Sequence, residues 1–182
     1  MKRAVLSALL ALSMSAAGAA FAAGEGGGGN TGGGGGGSDG QTCPAGKVWD
    51  KKTKKCVNPS YGVLDDDNIY EAGRDLAYAG RYDEAIAVLT LAQDKTDERI
   101  LNFLGYSHRK SGRVLVGLGY YQEAVRNNPE YTLVREYMGE AYLQLGDVAS
   151  AQEQLGEIAK RCGKDCREYT MLSTQIDAYL KS

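Results

Sequence analysis

From Asp65 to the C-terminus, apolar residues recur at helical spacing, and the pattern repeats. The stretches "YEAGRDLAYAGRYDEAI", "LNFLGYSHRKSGRVLVGLGYYQEAV" and "EYMGEAYLQLGDVASAQEQL" align with one another. Gly73, Gly105 and Gly139 lie 32 and 34 residues apart, and Gly80, Gly112 and Gly146 keep the same intervals. Behind each second glycine comes a small residue (Ala85, Gly117, Ala151), then a bulky one (Leu89, Tyr121, Leu155). Ala92, Ala124 and Ile158 follow, and Pro129 closes the second copy. Each copy predicts a helical hairpin. The first glycine admits a close partner helix, and the second occupies a turn where positive φ costs little. Leu76, His108 and Tyr142, three residues after the first glycine, are expected to fill the space between paired helices.

Three hairpins in register predict a stacked array in which each pair covers its neighbour's apolar face. The units run 66–97, 98–131 and 132–163. A final segment, 164–182, places Tyr169, Leu172, Ile176 and Tyr179 on one helical face and reads as a cap over the last repeat. Asp65, Asp66 and Asp67 suit a helix start, where negative charge is favourable.

These residues, with "LG-Y" spacing, a small–bulky–Ala pattern behind it and a proline near the end, resemble the tetratricopeptide repeat. The resemblance implies an all-α solenoid of three helical hairpins plus a capping helix. It also marks departures. Asp97 stands where a terminal proline is common, and Arg135 where a large apolar residue is usual. With Gly117 at the packing alanine and His108 at the packing aromatic, copy two is expected to pack more loosely. In this family the first helices line a concave face that holds extended peptides. Carried onto this sequence, the groove would comprise Tyr70, Arg74 and Tyr78, then Asn102, Phe103, Tyr106, Arg109 and Lys110, then Glu136, Glu140 and Gln144. Members that clamp a terminal carboxylate use lysine and asparagine at set positions. Tyr70, Arg74 and Tyr106 stand there instead, which points to a mixed-charge peptide or protein surface. The alternative for each tyrosine is packing between adjacent repeats.

Before the array the texture changes. Lys2 and Arg3 precede an apolar run, Val5–Met14, and then Ala20-Phe21-Ala22. That layout reads as an export signal over residues 1–22, cleaved near Ala22/Ala23, and the run is shorter than the roughly 20 residues a membrane span needs. The expected location is the periplasm, with no stable span after cleavage. Residues 23–40 are glycine-rich, with twelve glycines in the seventeen residues Gly24–Gly40, and are expected to form an unstructured linker.

Residues 41–60 contain "CPAGKVWDKKTKKCV", which reads as a small hairpin stapled by Cys43 and Cys56. Export favours disulfides over metal or redox chemistry for the four cysteines. Lys47, Trp49, Lys51, Lys52, Lys54 and Lys55 give the hairpin a basic face. It serves either as a contact for an anionic partner, cell-wall glycan included, or as a cover for the start of the helical array.

Composition narrows the function. Loss of Lys2 and Arg3 with the signal leaves 19 basic against 23 acidic residues, a net charge of −4, which gives no general electrostatic reason to bind nucleic acid. Phosphate-loop, dinucleotide and H-E-x-x-H patterns are missing from the sequence. Cys162 and Cys166 enclose three residues where a redox motif has two, so a disulfide pinning the cap is favoured over thiol chemistry, and four-cysteine zinc spacing does not fit. His108, the single histidine, is assigned to packing. The sequence therefore predicts a non-enzymatic binding or scaffold module with a peptide or protein partner and no cofactor. Its rivals are a wall-contacting envelope protein and a thiol-redox accessory protein.

Overall fold

In the computed structural model, residues 35–36, 42–60, 62 and 64–182 are described. The expected export signal, residues 1–22, and most of the glycine tract lie outside them. The helices are α1 (Asp66–Tyr78), α2 (Tyr82–Leu89), α3 (Glu98–Lys110), α4 (Val114–Asn127), α5 (Thr132–Gln144), α6 (Val148–Cys162) and α7 (Arg167–Lys181). α1, α3 and α5 begin at 66, 98 and 132, where the sequence repeats begin. Within the described residues no helix is long and apolar enough to cross a membrane.

One turn geometry occurs three times. Gly80, Gly112 and Gly146 have φ of 76°, 87° and 77°. Immediately after them the amides of Arg81, Arg113 and Asp147 donate to the carbonyls of Leu76, His108 and Tyr142, each at 2.9 Å. This six-to-one bond satisfies a helix-end carbonyl and turns the chain back along its own helix. At the opposite ends, Asp65 accepts from the Asn68 amide at 2.9 Å and Asp97 from the Arg99 amide at 2.9 Å. Asp97, out of place as a proline substitute, is thus the N-cap of α3. α2 stops early at Leu89, and Asp66 holds the following loop by accepting from Gln93 and Asp94 amides at 2.8 Å each.

Copy two packs tightly, contrary to expectation. A Cβ on Gly105 would stand 2.5 Å from Tyr121 Cε1, and one on Gly117 would stand 2.7 Å from the Gly105 carbonyl oxygen. Two facing glycines let the α3 and α4 backbones meet, and the buried Tyr121 ring fills the remaining space. His108 stacks on Tyr120 at 5.4 Å, while its Nδ1 accepts from Arg113 at 2.9 Å. In copy three the atoms nearest a Gly139 Cβ belong to Leu172 of α7, so the capping helix packs directly into α5. Arg135, buried where an apolar residue was expected, donates to the Pro129 carbonyl at 3.1 Å and to Gln154 at 3.2 Å. Arg161 reaches the same carbonyl at 2.5 Å. The exit of copy two is therefore tied into copy three by hydrogen bonds as well as by the apolar cluster that α4 and α5 share.

Strands β3 (Val48–Asp50) and β4 (Lys55–Val57) pair antiparallel with Trp49 opposite Cys56. The Cys43–Cys56 disulfide ties β4 to the segment just ahead of β3, its Cα atoms 5.7 Å apart. Val48 is buried in one apolar cluster with Leu64, Ile69 and Leu76, so the hairpin covers the first repeat as α7 covers the last. Two residues of the linker, β1 (Gly35–Gly36), pair with β2 (Thr42–Cys43), where the sequence suggested no structure at all. The disulfide fixes Cys43 in place, and its strand edge offers open backbone groups for pairing.

Candidate functional site

The first helices of the three hairpins are joined by a run of aromatic rings. Tyr78 of α1 meets Phe103 and Tyr106 of α3 edge-on, at 5.3 and 5.9 Å between centroids. Tyr106 meets Tyr137 of α5 at 5.1 Å, and the Tyr78 and Tyr137 hydroxyls lie 3.4 Å apart. Tyr70 closes the other side against Phe103 at 5.8 Å, with the Arg99 guanidinium 4.9 Å from its ring centre. Such pairs add stabilisation beyond burial of area. Tyr78 nonetheless remains 57% exposed. The result is one continuous wall spanning α1, α3 and α5, apolar in body and edged with hydroxyls.

Charge is embedded beneath this wall. Arg109 Nη2 lies 2.5 Å from Glu140, its Nε donates to the Tyr121 hydroxyl at 3.3 Å, and its guanidinium sits 5.6 and 5.7 Å from the Tyr106 and Tyr137 ring centres. Glu140 also accepts from Gln175 of α7 at 2.6 Å. Glu136, one turn earlier, is 3% exposed and forms no hydrogen bond or ion pair among the described residues. Burial, then the nearby carboxylates of Glu140 and Glu168, push its carboxyl up to about 7, against the opposing pull of Arg167 and Arg109. At the equivalent position of copy two, Asn102 is fully buried, and neither of its amide atoms is hydrogen-bonded.

A profile of the tetratricopeptide repeat matches residues 70–132 and again 103–165, which together cover more than half of the chain. The chain belongs to the tetratricopeptide repeat family. No curated protein matches it. Among solved structures, the Yersinia enterocolitica type III secretion translocator chaperone SycD is similar at 20% identity and TM-score 0.55, covering 63% of this chain and 83% of that one. The first TPR domain of human RPAP3 is similar at 21% identity and TM-score 0.56, covering 62% and 90%. MamA is similar at 18% identity and TM-score 0.53, covering 63% and 72%. At these identities the likeness concerns the fold.

The TPR array brings the expected groove residues together, but at different depths. Tyr78, Lys110 and Gln144 are exposed, while Tyr70, Arg74, Tyr106 and Glu140 are half-buried. Asn102, Phe103, Arg109 and Glu136 were expected on the groove surface and are instead buried. Neighbouring helices cover them, with α7 lying beside Glu136. Arg74 is occupied by Asp75, to which its Nε and Nη2 donate at 3.0 and 2.8 Å. Lys110, Glu140 and Gln144 line an open cleft of about 690 Å³ with Leu143, Gln175 and Tyr179, so α7 forms part of the site. Sequence reading missed Tyr137, although its alignment with Phe103, 34 residues earlier, carries the signal. It also missed Glu168 and Gln175, which lie outside the repeat and follow no period.

The hairpin residues divide as well. Lys51 pairs with Glu71 of α1, and Trp49 is half-buried over a cleft shared with Asn68, Glu71 and Leu76. Lys47, Lys52, Lys54 and Lys55 remain exposed. At the other end of the array the Cys162–Cys166 disulfide links α6 to α7. The sulfurs lie within 4.8 Å of each other and of a Glu168 carboxylate oxygen, but bonding between them leaves no thiolate to act as a metal ligand.

Proposed function

We propose that the aromatic wall binds an extended segment of a partner protein, and that the chain acts as a non-enzymatic scaffold. The supporting observation is Tyr78. Its ring is fixed by Phe103 and Tyr106, and its hydroxyl lies beside that of Tyr137, yet more than half of its surface faces solvent. A rigid, amphipathic aromatic binds at low entropic cost, which is what a recognition surface needs. Two similar structures carry peptides: SycD with a peptide of the translocator YopD, and the first TPR of RPAP3 with the HSP90 peptide SRMEEVD.

The test is retention of peptides on an array by native protein and by Tyr78→Ala, with matching thermal melts. Peptides held by the native chain and lost by the variant support the wall. Equal retention by both removes it.

Export to the periplasm forms part of the same reading, supported by the N-terminal layout and by two disulfides that an oxidising compartment would preserve. Four exposed hairpin lysines favour a secondary contact with an anionic surface such as cell-wall glycan. Retention on isolated wall that salt abolishes would support that contact.

A further inference from the structure

We propose that Glu136 receives a lysine or arginine side chain of the bound segment, so that the wall selects partners carrying a basic residue opposite the third repeat. This rests on the reading of the wall as a peptide-binding surface. Among the described residues the other buried charges are engaged: Arg109 with Glu140, Arg135 with the Pro129 carbonyl and Gln154, and Asp50 with Thr53 and the Lys52 amide. Glu136 has no such contact among the described residues. The Glu136 carboxylate oxygens are not among the atoms sealed from solvent, so a ligand's cation can reach them, and pairing offsets the cost of their partial desolvation.

The surroundings choose the sign of the occupant. Glu140 on the same helix and Glu168 on α7 both stand close enough to disfavour a further negative charge. The nearby cations are Arg109, already committed to Glu140 and Tyr121, and Arg167 in the exposed first turn of α7. A second polar group without a hydrogen bond lies at the same register. Asn102 occupies the matching position one repeat earlier, three residues before the helix glycine, and both of its amide atoms lack partners. Two adjacent repeats thus carry a polar side chain without a hydrogen bond at the same register, an amide sealed from solvent and an acid whose oxygens are not.

The experiment uses the mature chain on an array of acetylated, amidated decapeptides, whose blocked termini remove every cation except lysine, arginine and histidine. Native protein, Glu136→Gln and Tyr78→Ala are compared. The expected result is enrichment of Lys or Arg among peptides held by native protein. For such a peptide, Glu136→Gln should weaken affinity by about tenfold or more. As a second measurement, that affinity should fall between pH 8 and pH 5.5 in the native chain and stay level in Glu136→Gln. Basic enrichment that survives in Glu136→Gln overturns the proposal. Retention that needs Tyr78 but shows no basic preference also overturns it, while leaving the wall a binding surface. No retention by native protein overturns both readings.

Discussion

Arg109 of α3 and Glu140 of α5 form an ion pair 2.5 Å apart, with only 1% of the Arg109 side chain exposed. The contact is held by charge more than by alignment, since Nη2 has no acceptor in line for a hydrogen bond. It joins the first helices of two successive repeats beneath the Tyr106 and Tyr137 rings. Removing one member leaves a buried charge without compensation. Glu140→Leu should therefore destabilise the chain by about 3 kcal/mol, and Arg109→Met combined with Glu140→Leu should cost much less than either of those single changes. Denaturant melts of the four proteins in a double-mutant cycle measure the coupling directly.

Glu136 makes stability depend on pH in an unusual direction. Its folded carboxyl is raised to about 7 from an ordinary 4.5, so between those values the folded chain binds more protons than the unfolded chain. Stability then falls as pH rises from about 4.5 through about 7, by on the order of 1–2 kcal/mol, because solvent at the carboxylate oxygens screens part of the effect. Above pH 7 no further loss comes from this group. Glu136→Gln should flatten the slope and raise the melting temperature at pH 8. Thermal melts of both proteins across this range check it, and an unchanged slope in the variant would assign the effect elsewhere.

Glycines inside these helices have opposite roles, and alanine substitution separates them. At Gly105 a Cβ would collide with the Tyr121 ring, which is fully buried and has no room to retreat. Gly105→Ala should cost about 2 to 3 kcal/mol, as overpacked cores do. Gly119 in α4 and Gly156 in α6 have no atom within 4 Å of a built Cβ. Alanine there should stabilise by about 0.5–1 kcal/mol, through helix propensity alone. Melting temperatures moving in opposite directions would confirm that the repeat glycines mark contact and not flexibility.

The hairpin repeat was readable because glycine and alanine positions carry a period that no other process imposes. Helix starts at 66, 98 and 132 and the turns at Gly80, Gly112 and Gly146 follow from it. Depth was not readable. Asn102 and Glu136 are polar at groove positions, and their burial comes from neighbouring helices, α7 included beside Glu136, that no local pattern announces. Copy two illustrates the limit: Gly117 suggests looseness by itself, yet facing Gly105 it permits a close crossing. The second role of α7 was equally hidden. Its apolar stripe announces a cap, but Gln175 bonding to Glu140 depends on a residue 35 positions away.

The two disulfides should differ in what their loss does. Cys43–Cys56 closes a fourteen-residue loop, worth about 3 kcal/mol, and holds Val48 against Leu64, Ile69 and Leu76. Cys162–Cys166 closes a loop of five, worth about 2 kcal/mol, at an exposed junction. α7 keeps its own anchors there, because Leu172 and Ile176 are buried against the last repeat. Replacing Cys43 and Cys56 by serine should therefore release the hairpin and raise amide exchange throughout α1. The same change at Cys162 and Cys166 should raise exchange only in the first turn of α7. Hydrogen-exchange mass spectrometry distinguishes these patterns. If α7 opened along its whole length in the second variant, the disulfide and not Leu172 would be what holds the cap to the array.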